Sequence, residues 1–291
     1  MADQDHIHEQ AAMLPSCSVA GVKARLAWMQ ISPNKALGQN FLTDERLLNE
    51  MLAAMPPNAK RVLEIGPGFG ALTEGLLKKG AKLVVAVEKD AAMVRALDET
   101  LLQHALYQDR LIVLGGDILT TPLSLLFGLL QEKPFYIYGN LPYYITTPAI
   151  LRFLDCNLPI EGMTLMLQKE AADRFFALPG EKIYGPLTIL AQMQYLCERG
   201  VELPPSAYFP QPEITSSVVH LRKKELAIRS GFHTFLKKAF AMRRKTLMNN
   251  LQAGAYSKDG LLQAFHAHSI APNIRAEALS PEILYALYCS L

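Results

Sequence analysis

Between residues 61 and 170 the chain alternates five short β-type runs with helical segments, and this alternation constrains the fold more than any other feature. The runs are Arg61–Ile65, Lys82–Val87, Leu111–Leu114, Phe135–Tyr138 and Met163–Leu167. Lys82–Val87 (KLVVAV) is unbroken by polar residues after its first Lys, as a strand buried on both faces must be. The segments between them include Leu72–Lys79, which stops at Gly80, a helix capped by Asp90 with Met93, Val94, Leu97 and Leu101, and Thr147–Leu154. Strands separated by helices predict a doubly wound α/β domain, its parallel sheet covered on both faces. Lys169–Ala177 and Leu187–Cys197 read as further helices. Val201–Leu203 and Ser217–Leu221 then follow one another without a helix between, which predicts an antiparallel pair at one sheet edge and brings the strands to seven.

Upstream, Thr43 is the expected cap of a helix carrying Leu47, Leu48, Met51, Leu52 and Met55 on one face, ended by Pro56-Pro57. Residues 1–30 have weak periodicity and read as a poorly ordered, flexible extension. Beyond residue 225 only short helices are expected, over Phe232–Met242, Thr246–Gln252, Gly260–His268 and Pro281–Tyr288. The expected domains are therefore 1–30, 31–225 and an all-α 226–291.

Several classes are excluded. No apolar run approaches the ~18 residues of a membrane span, and the acidic Asp3, Asp5 and Glu9 argue against a signal or transit peptide. The four cysteines are scattered without a C-x-x-C pair, so reduced thiols in a cytoplasmic compartment are expected rather than a zinc site or disulfides. The pairs His6/His8 and His266/His268 are spaced i, i+2 without acidic or cysteine partners in sequence, and no metal site is expected.

The segment Glu64-Ile65-Gly66-Pro67-Gly68-Phe69-Gly70 follows a strand and opens a helix, where glycines let the backbone turn sharply and approach a ligand. Glu88 lies 22 residues after Gly66, at the end of the second strand, where an acid can accept two hydrogen bonds from a ribose diol. Together they predict a cofactor containing adenosine. Gly66, Gly68 and Ala71 also satisfy the dinucleotide pattern, so a nicotinamide-dependent oxidoreductase stays open, although no Tyr-x-x-x-Lys proton relay accompanies it. Asp117, after the third strand, can accept from an exocyclic amine or cap a helix.

Asn140-Leu141-Pro142-Tyr143, after the fourth strand, is more specific. A purine amine is a poor nucleophile because its lone pair is delocalised. The Asn140 side-chain oxygen and Leu141 carbonyl can accept its two N–H groups, Pro142 fixes φ, and Tyr143 offers a ring for a base to stack on. Charge adds a partner class. Nine Lys or Arg stand between Arg222 and Lys245 against Glu225 alone, +8 in 24 residues, leaving −6 for the rest of a chain whose net charge is +2. Such a stripe is either a solvated helix face or the footprint of a phosphate backbone.

Asn140-Leu141-Pro142-Tyr143 resembles the signature of amino-methyltransferases that use S-adenosylmethionine. Asn34-Lys35-Ala36-Leu37-Gly38-Gln39-Asn40-Phe41-Leu42 is similar to the N-terminal motif of ribosomal RNA adenine dimethyltransferases. Further segments resemble the same family, namely Met166–Glu170, Tyr184–Leu187, Phe209–Ser217 and Arg243–Leu247 with Asn250-Leu251. The likeness runs from about residue 33 to 290 and points to the branch acting on small-subunit RNA. The large-subunit, resistance-conferring branch is the alternative, and a non-catalytic assembly factor a third reading.

The resemblance implies a class I, Rossmann-like methyltransferase fold and dimethylation of the N6 amines of two adjacent adenosines near the 3′ end of 16S ribosomal RNA. The partner would be the small ribosomal subunit, with no membrane, no metal and a monomeric enzyme. Gln39, Asn40, Leu42, Gly66, Gly68, Glu88, Asp117 and Asn140 would bind the cofactor, and Asn140 with Leu141 and Pro142 would hold the amine. Tyr143 and Phe209 would sandwich the target adenine. Arg222, Lys223, Lys237, Lys238, Arg243, Arg244 and Lys245 would meet RNA. Tyr144, Thr146-Thr147 and Glu213 depart mildly from the family pattern without removing a needed chemical group.

Overall fold

The computed structural model describes residues 11, 13–226, 228–254 and 256–291, with the side chain of Tyr143 outside that description. The chain divides into two compact units. One comprises Met1–Ala149, Asn157–Lys169 and Glu198–His220; the other comprises Ile150–Cys156, Glu170–Cys197 and Leu221–Leu291. The division is therefore not the single cut expected at 225. The segment Glu170–Cys197 joins the second unit because its helix α8 (Pro186–Gln194) packs against α9 (Phe232–Ala239) and α12 (Pro281–Cys289).

In the first unit the strands are β1 (Phe41–Leu42), β2 (Arg61–Ile65), β3 (Leu83–Glu88), β4 (Leu111–Gly115), β5 (Phe135–Asn140), β6 (Ile160–Gln168) and β8 (Tyr208–Phe209); β7 (Tyr195–Leu203) and β9 (Ser216–Lys223) begin or end beyond it. Seven strands form one sheet in the order β4-β3-β2-β5-β6-β9-β7, and β2–β3, β2–β5, β3–β4 and β5–β6 are parallel. All six residues of β3 are buried, which explains its unbroken apolar run. The last two strands of this sheet in sequence, β7 and β9, are neighbours at its edge, as expected. The order reverses at β2, which has β3 on one side and β5 on the other. Register aligns Ile65 with Val87 and Gly139, Glu88 with Gly115, and Asn140 with Met166. The residues singled out for chemistry thus end neighbouring strands at the switch point, where doubly wound sheets bind ligands.

The helices α2 (Glu45–Ala53), α3 (Ala71–Lys78), α4 (Ala91–Glu99), α5 (Leu123–Leu129) and α6 (Tyr143–Leu154) follow the expected alternation. The cap of α2 is Asp44 rather than Thr43; its carboxylate accepts from the Leu47 amide at 3.0 Å, while Thr43 bonds the Ala207 carbonyl. Part of the sequence expected to be a flexible extension is helical. Residues 1–10 and 12, with His6 and His8, lie outside the described residues, but α1 (Val19–Met29) is capped by Ser18. Val22 and Leu26 of α1 pack with Phe41, Phe69, Met93 and Ala96, burying roughly 1.5–3 kcal/mol per large side chain. A second correction concerns Leu187–Cys197, where the helix stops at Gln194 and strand β7 takes over from Tyr195.

The second unit holds α7 (Lys169–Asp173) from Glu170 on, α8, α9, α10 (Leu247–Ala253), α11 (Lys258–Ala267) and α12. Phe232 of α9 packs edge-on to Tyr285 of α12, with ring centroids 5.1 Å apart. Buried Asn250 donates to the Ala239 and Met242 carbonyls at 2.9 and 3.1 Å and accepts from the Met242 amide, which fixes the turn carrying Arg243–Lys245. No helix of the described residues is long and apolar enough to cross a membrane. Among the described residues, no group of three or more His, Cys, Asp or Glu could hold a metal ion.

Candidate active site

The carboxyl ends of β2, β3 and β5 open into a cleft of about 1010 Å³, continuous with solvent. Gln39, Asn40, Leu42, Gly66, Gly68, Glu88, Asp117, Asn140 and Pro142 all line it. The glycine turn makes room for a ligand. Gly66 and Gly68 have φ of 68° and 57°, a left-handed conformation that side chains rarely adopt. A Cβ on Gly68 would stand 3.2 Å from the Phe41 ring, and one on Gly66 would project 3.7 Å from the Asn140 carbonyl oxygen.

Glu88 is buried, and each carboxylate oxygen accepts one main-chain N–H, from Gly68 at 3.1 Å and from Asp90 at 2.8 Å. Burial pushes its carboxyl above the usual range, and those two hydrogen bonds oppose the rise. A carboxylate has about four lone-pair sites, so two remain for a diol. Replacing Glu88 with Ala is expected to weaken cofactor binding by about 1.5–3 kcal/mol through lost charge-assisted bonds. Titration calorimetry returning an unchanged Kd would remove Glu88 from the ribose position.

Asp117 is partly engaged in the structural role that sequence left open. Its Oδ1 accepts from the Leu119 amide at 2.8 Å, and its Oδ2 pairs with Lys89 at 3.0 Å. Gln39 is held by a donated bond to Asp90 at 2.7 Å and an accepted bond from the Asn34 amide at 2.8 Å. These contacts orient the N-terminal motif along the cleft wall.

Asn140 donates its amide to the Asn40 carbonyl at 3.2 Å, which leaves its side-chain oxygen as the acceptor. Leu141 is buried and its N–H extends the sheet to the Met166 carbonyl at 3.1 Å, so the turn is anchored on both sides. Asn140, Asn40, Gly38, Pro142 and Met166 also line a smaller pocket with Leu141, Gln168, Tyr208 and Ser216. Asn140 therefore stands at the wall between two cavities. The strand pair β1–β8 sets Phe41 opposite Phe209, which fixes the expected base platform to the N-terminal motif. Tyr143 begins α6, and its side chain lies outside the described residues.

The basic stripe splits. Lys223 is exposed but engaged, donating to Gln194 at 3.2 Å over the Tyr195 ring, and partial desolvation lowers its ammonium pKa. Lys238 donates to the Gly254 carbonyl at 2.7 Å. Lys237, Arg243, Arg244 and Lys245 are exposed, with Arg243 donating to the Lys182 carbonyl. Arg222 is exposed at the end of β9. Sequence reasoning missed Phe41, Lys89, Tyr144 and Ser16 as lining residues. Phe41 and Lys89 lie inside or beside motifs already read; Ser16 carries no local signal.

Comparison with known proteins agrees with this geometry. Residues 31–291 match the model of the family described as ribosomal RNA adenine dimethylase. A Listeria monocytogenes protein named ribosomal RNA small subunit methyltransferase A is 40% identical over 258 residues, 84% of this chain and 86% of the relative. One of the same name from Geobacillus thermodenitrificans is 38% identical over 269 residues, 88% and 90% of the two chains. Among solved structures, a dimethyladenosine transferase from Plasmodium falciparum has the same fold, with a TM-score of 0.68, 24% identity and coverage of 84% and 95%. The 23S rRNA methyltransferase ErmE also shares it, with a TM-score of 0.60, 23% identity and coverage of 87% and 99%. The chain belongs to the ribosomal RNA adenine dimethylase family.

Proposed function

We propose that this chain is the methyltransferase that dimethylates the N6 amines of two adjacent adenosines near the 3′ end of 16S ribosomal RNA, acting on the small ribosomal subunit in the cytoplasm and contributing to its biogenesis. S-adenosylmethionine is the cofactor, and when bound it supplies an electrophilic methyl group on a sulfonium. The observation that carries the reading is Asn140, anchored through its amide on Asn40 and presenting its oxygen at the wall between the glycine-lined cleft and a second pocket. The names of the relatives support the small-subunit substrate over the large-subunit one. The cleft fits the cofactor, with the left-handed glycine turn at Gly66 and Gly68 along its wall and two remaining acceptor sites on Glu88.

The chain's own groups then do the following. Asn140 Oδ1 and the Leu141 carbonyl accept the two amine N–H bonds, turning the nitrogen lone pair out of conjugation with the ring. Pro142 holds the turn, and Tyr143 and Phe209 clamp the base. Because the methyl donor is already reactive, positioning supplies most of the acceleration. The product of the first transfer still has one N–H, which Asn140 can accept during the second. The test is incubation of labelled S-adenosylmethionine with unmethylated 30S and 50S particles, followed by digestion to nucleosides. Labelled dimethyladenosine from 30S alone is expected; label in 50S alone would overturn the substrate.

Arg243, Arg244 and Lys245 are proposed RNA contacts on their rigid turn. Neutralising all three is expected to weaken 30S binding and flatten its log–log salt dependence by roughly 0.7–0.9 per lost phosphate. An unaltered slope with a lower melting temperature would make the turn structural instead.

A further inference from the structure

Helix α1 lies outside residues 31–291, the span the family model matches, yet it packs against the strand that carries Phe209. Phe209 packs against the cluster formed by Val22, Leu26, Phe41, Phe69, Met93 and Ala96, so α1 supports the ring from behind. Ser16, just ahead of the helix, lines the large cleft and donates to Glu74 at 2.7 Å, tying the segment to α3. From this support Lys23 reaches outward. It is exposed, and its Nζ lies 5.2 Å from the centroid of the Phe209 ring. No described acidic side chain forms an ion pair with it.

We infer that Lys23 is an RNA-contacting and positioning residue, its ammonium meeting the phosphodiester of the nucleotide whose base stacks on Phe209. The inference rests on the reading of Phe209 as the base platform. A nucleotide that brings its base to an aromatic ring brings its own phosphate to the ring's rim. An ammonium at the ring face, without an ion-pair partner among the described residues and on a flexible four-carbon stem, reaches that rim by a change of rotamer. The ring quadrupole holds the cation near the site beforehand and costs little to leave, since exposed cation–π contacts contribute about 0.5–1 kcal/mol. The buried face of α1 fixes where the cation starts. Val22 and Leu26, on either side of Lys23 in sequence, are at 0% and 7% exposure.

The experiment compares full-length wild type, Lys23→Met and Lys23→Arg on unmethylated 30S particles at several salt concentrations. Lys23→Met keeps the length and apolar stem of the side chain and removes its charge. It is expected to raise KM for the particle about three- to tenfold and to reduce the log–log salt slope by about 0.7. Both kcat and the calorimetric Kd for S-adenosylmethionine stay within twofold, and Lys23→Arg restores KM and slope. An unchanged KM overturns the inference, as does a raised KM with an unchanged slope, which would reduce Lys23 to a prop for the ring. A matching loss in cofactor Kd also overturns it, because α1 would then act only as cleft wall. Phe209→Ala, run beside these, separates the two layers. If it is as active as wild type, the platform reading fails; if it is impaired while Lys23→Met is normal, only the role of Lys23 fails.

Discussion

Asn140→Ala is expected to slow methyl transfer by roughly 10²–10³-fold, the cost of removing one acceptor that acts chiefly in the transition state. Cofactor Kd should stay within about tenfold, because Gly66, Gly68 and Glu88 remain. The structure sharpens this expectation. The Asn140 amide donates to the Asn40 carbonyl, so the alanine variant loses both the proposed substrate acceptor and the tether between the N-terminal motif and β5. Asn140→Asp separates these two losses. It keeps an oxygen but cannot donate to Asn40, so a large defect there assigns much of the effect to orientation. Single-turnover transfer of a labelled methyl group to 30S particles measures the rate directly. A rate within threefold of wild type for the alanine variant would end the assignment.

The residues that sequence alone brought together are those with local signals. Gly66, Gly68, Glu88, Asp117 and Asn140 each lie at or just past the end of a strand whose apolar run is visible, and the parallel order then brings those ends together at one cleft. What sequence could not show depends on contacts between distant segments. The pairing of Phe41 with Phe209 involves strands of only two residues each, too short for any periodicity, yet it attaches the proposed base platform to the N-terminal motif. Helix α1 was hidden because a charged residue lies on its inward face. Arg25 is 4% exposed and donates to the Leu14 carbonyl at 3.0 Å. A buried arginine breaks the apolar stripe by which helices are recognised.

Strand β7 was legible only at its end, Val201–Leu203, for the opposite reason. Its centre, Cys197–Glu202, has no buried residue and includes Glu198, Arg199 and Gly200, so no apolar alternation appears. The basic stripe has a related limit. Counting charge cannot distinguish Lys238, donating to a carbonyl that ends α10, from Arg244 in open solvent. Only the second kind of cation is free to release counterions on meeting RNA.

Glu64 yields the other large effect. It stands in the middle of the sheet, in register with Ala86 and Tyr138, fully buried, and neither carboxyl oxygen has a hydrogen-bond partner among the described residues. Burial pushes its pKa from the ordinary 4.5 to about 8; Thr73 nearby offsets part of this and the Glu88 carboxylate adds to it. At neutral pH the folded protein therefore holds Glu64 largely protonated, on β2 two residues before Gly66. Because the folded pKa lies above the unfolded one, the native state binds the proton more tightly. The associated stability is complete below about pH 4.5, declines as pH rises, and is lost by about pH 8. Each tenfold difference in proton affinity between the folded and unfolded chain corresponds to about 1.36 kcal/mol, so the loss across that window is on the order of a few kcal/mol. Glu64→Gln keeps the shape and stays neutral at every pH. The stability difference between wild type and this variant, from urea unfolding at pH 5 through 8.5, should move by at least about 2 kcal/mol in favour of Gln. Parallel stability curves across that range would mean that Glu64 carries its charge in the folded protein and has a partner there.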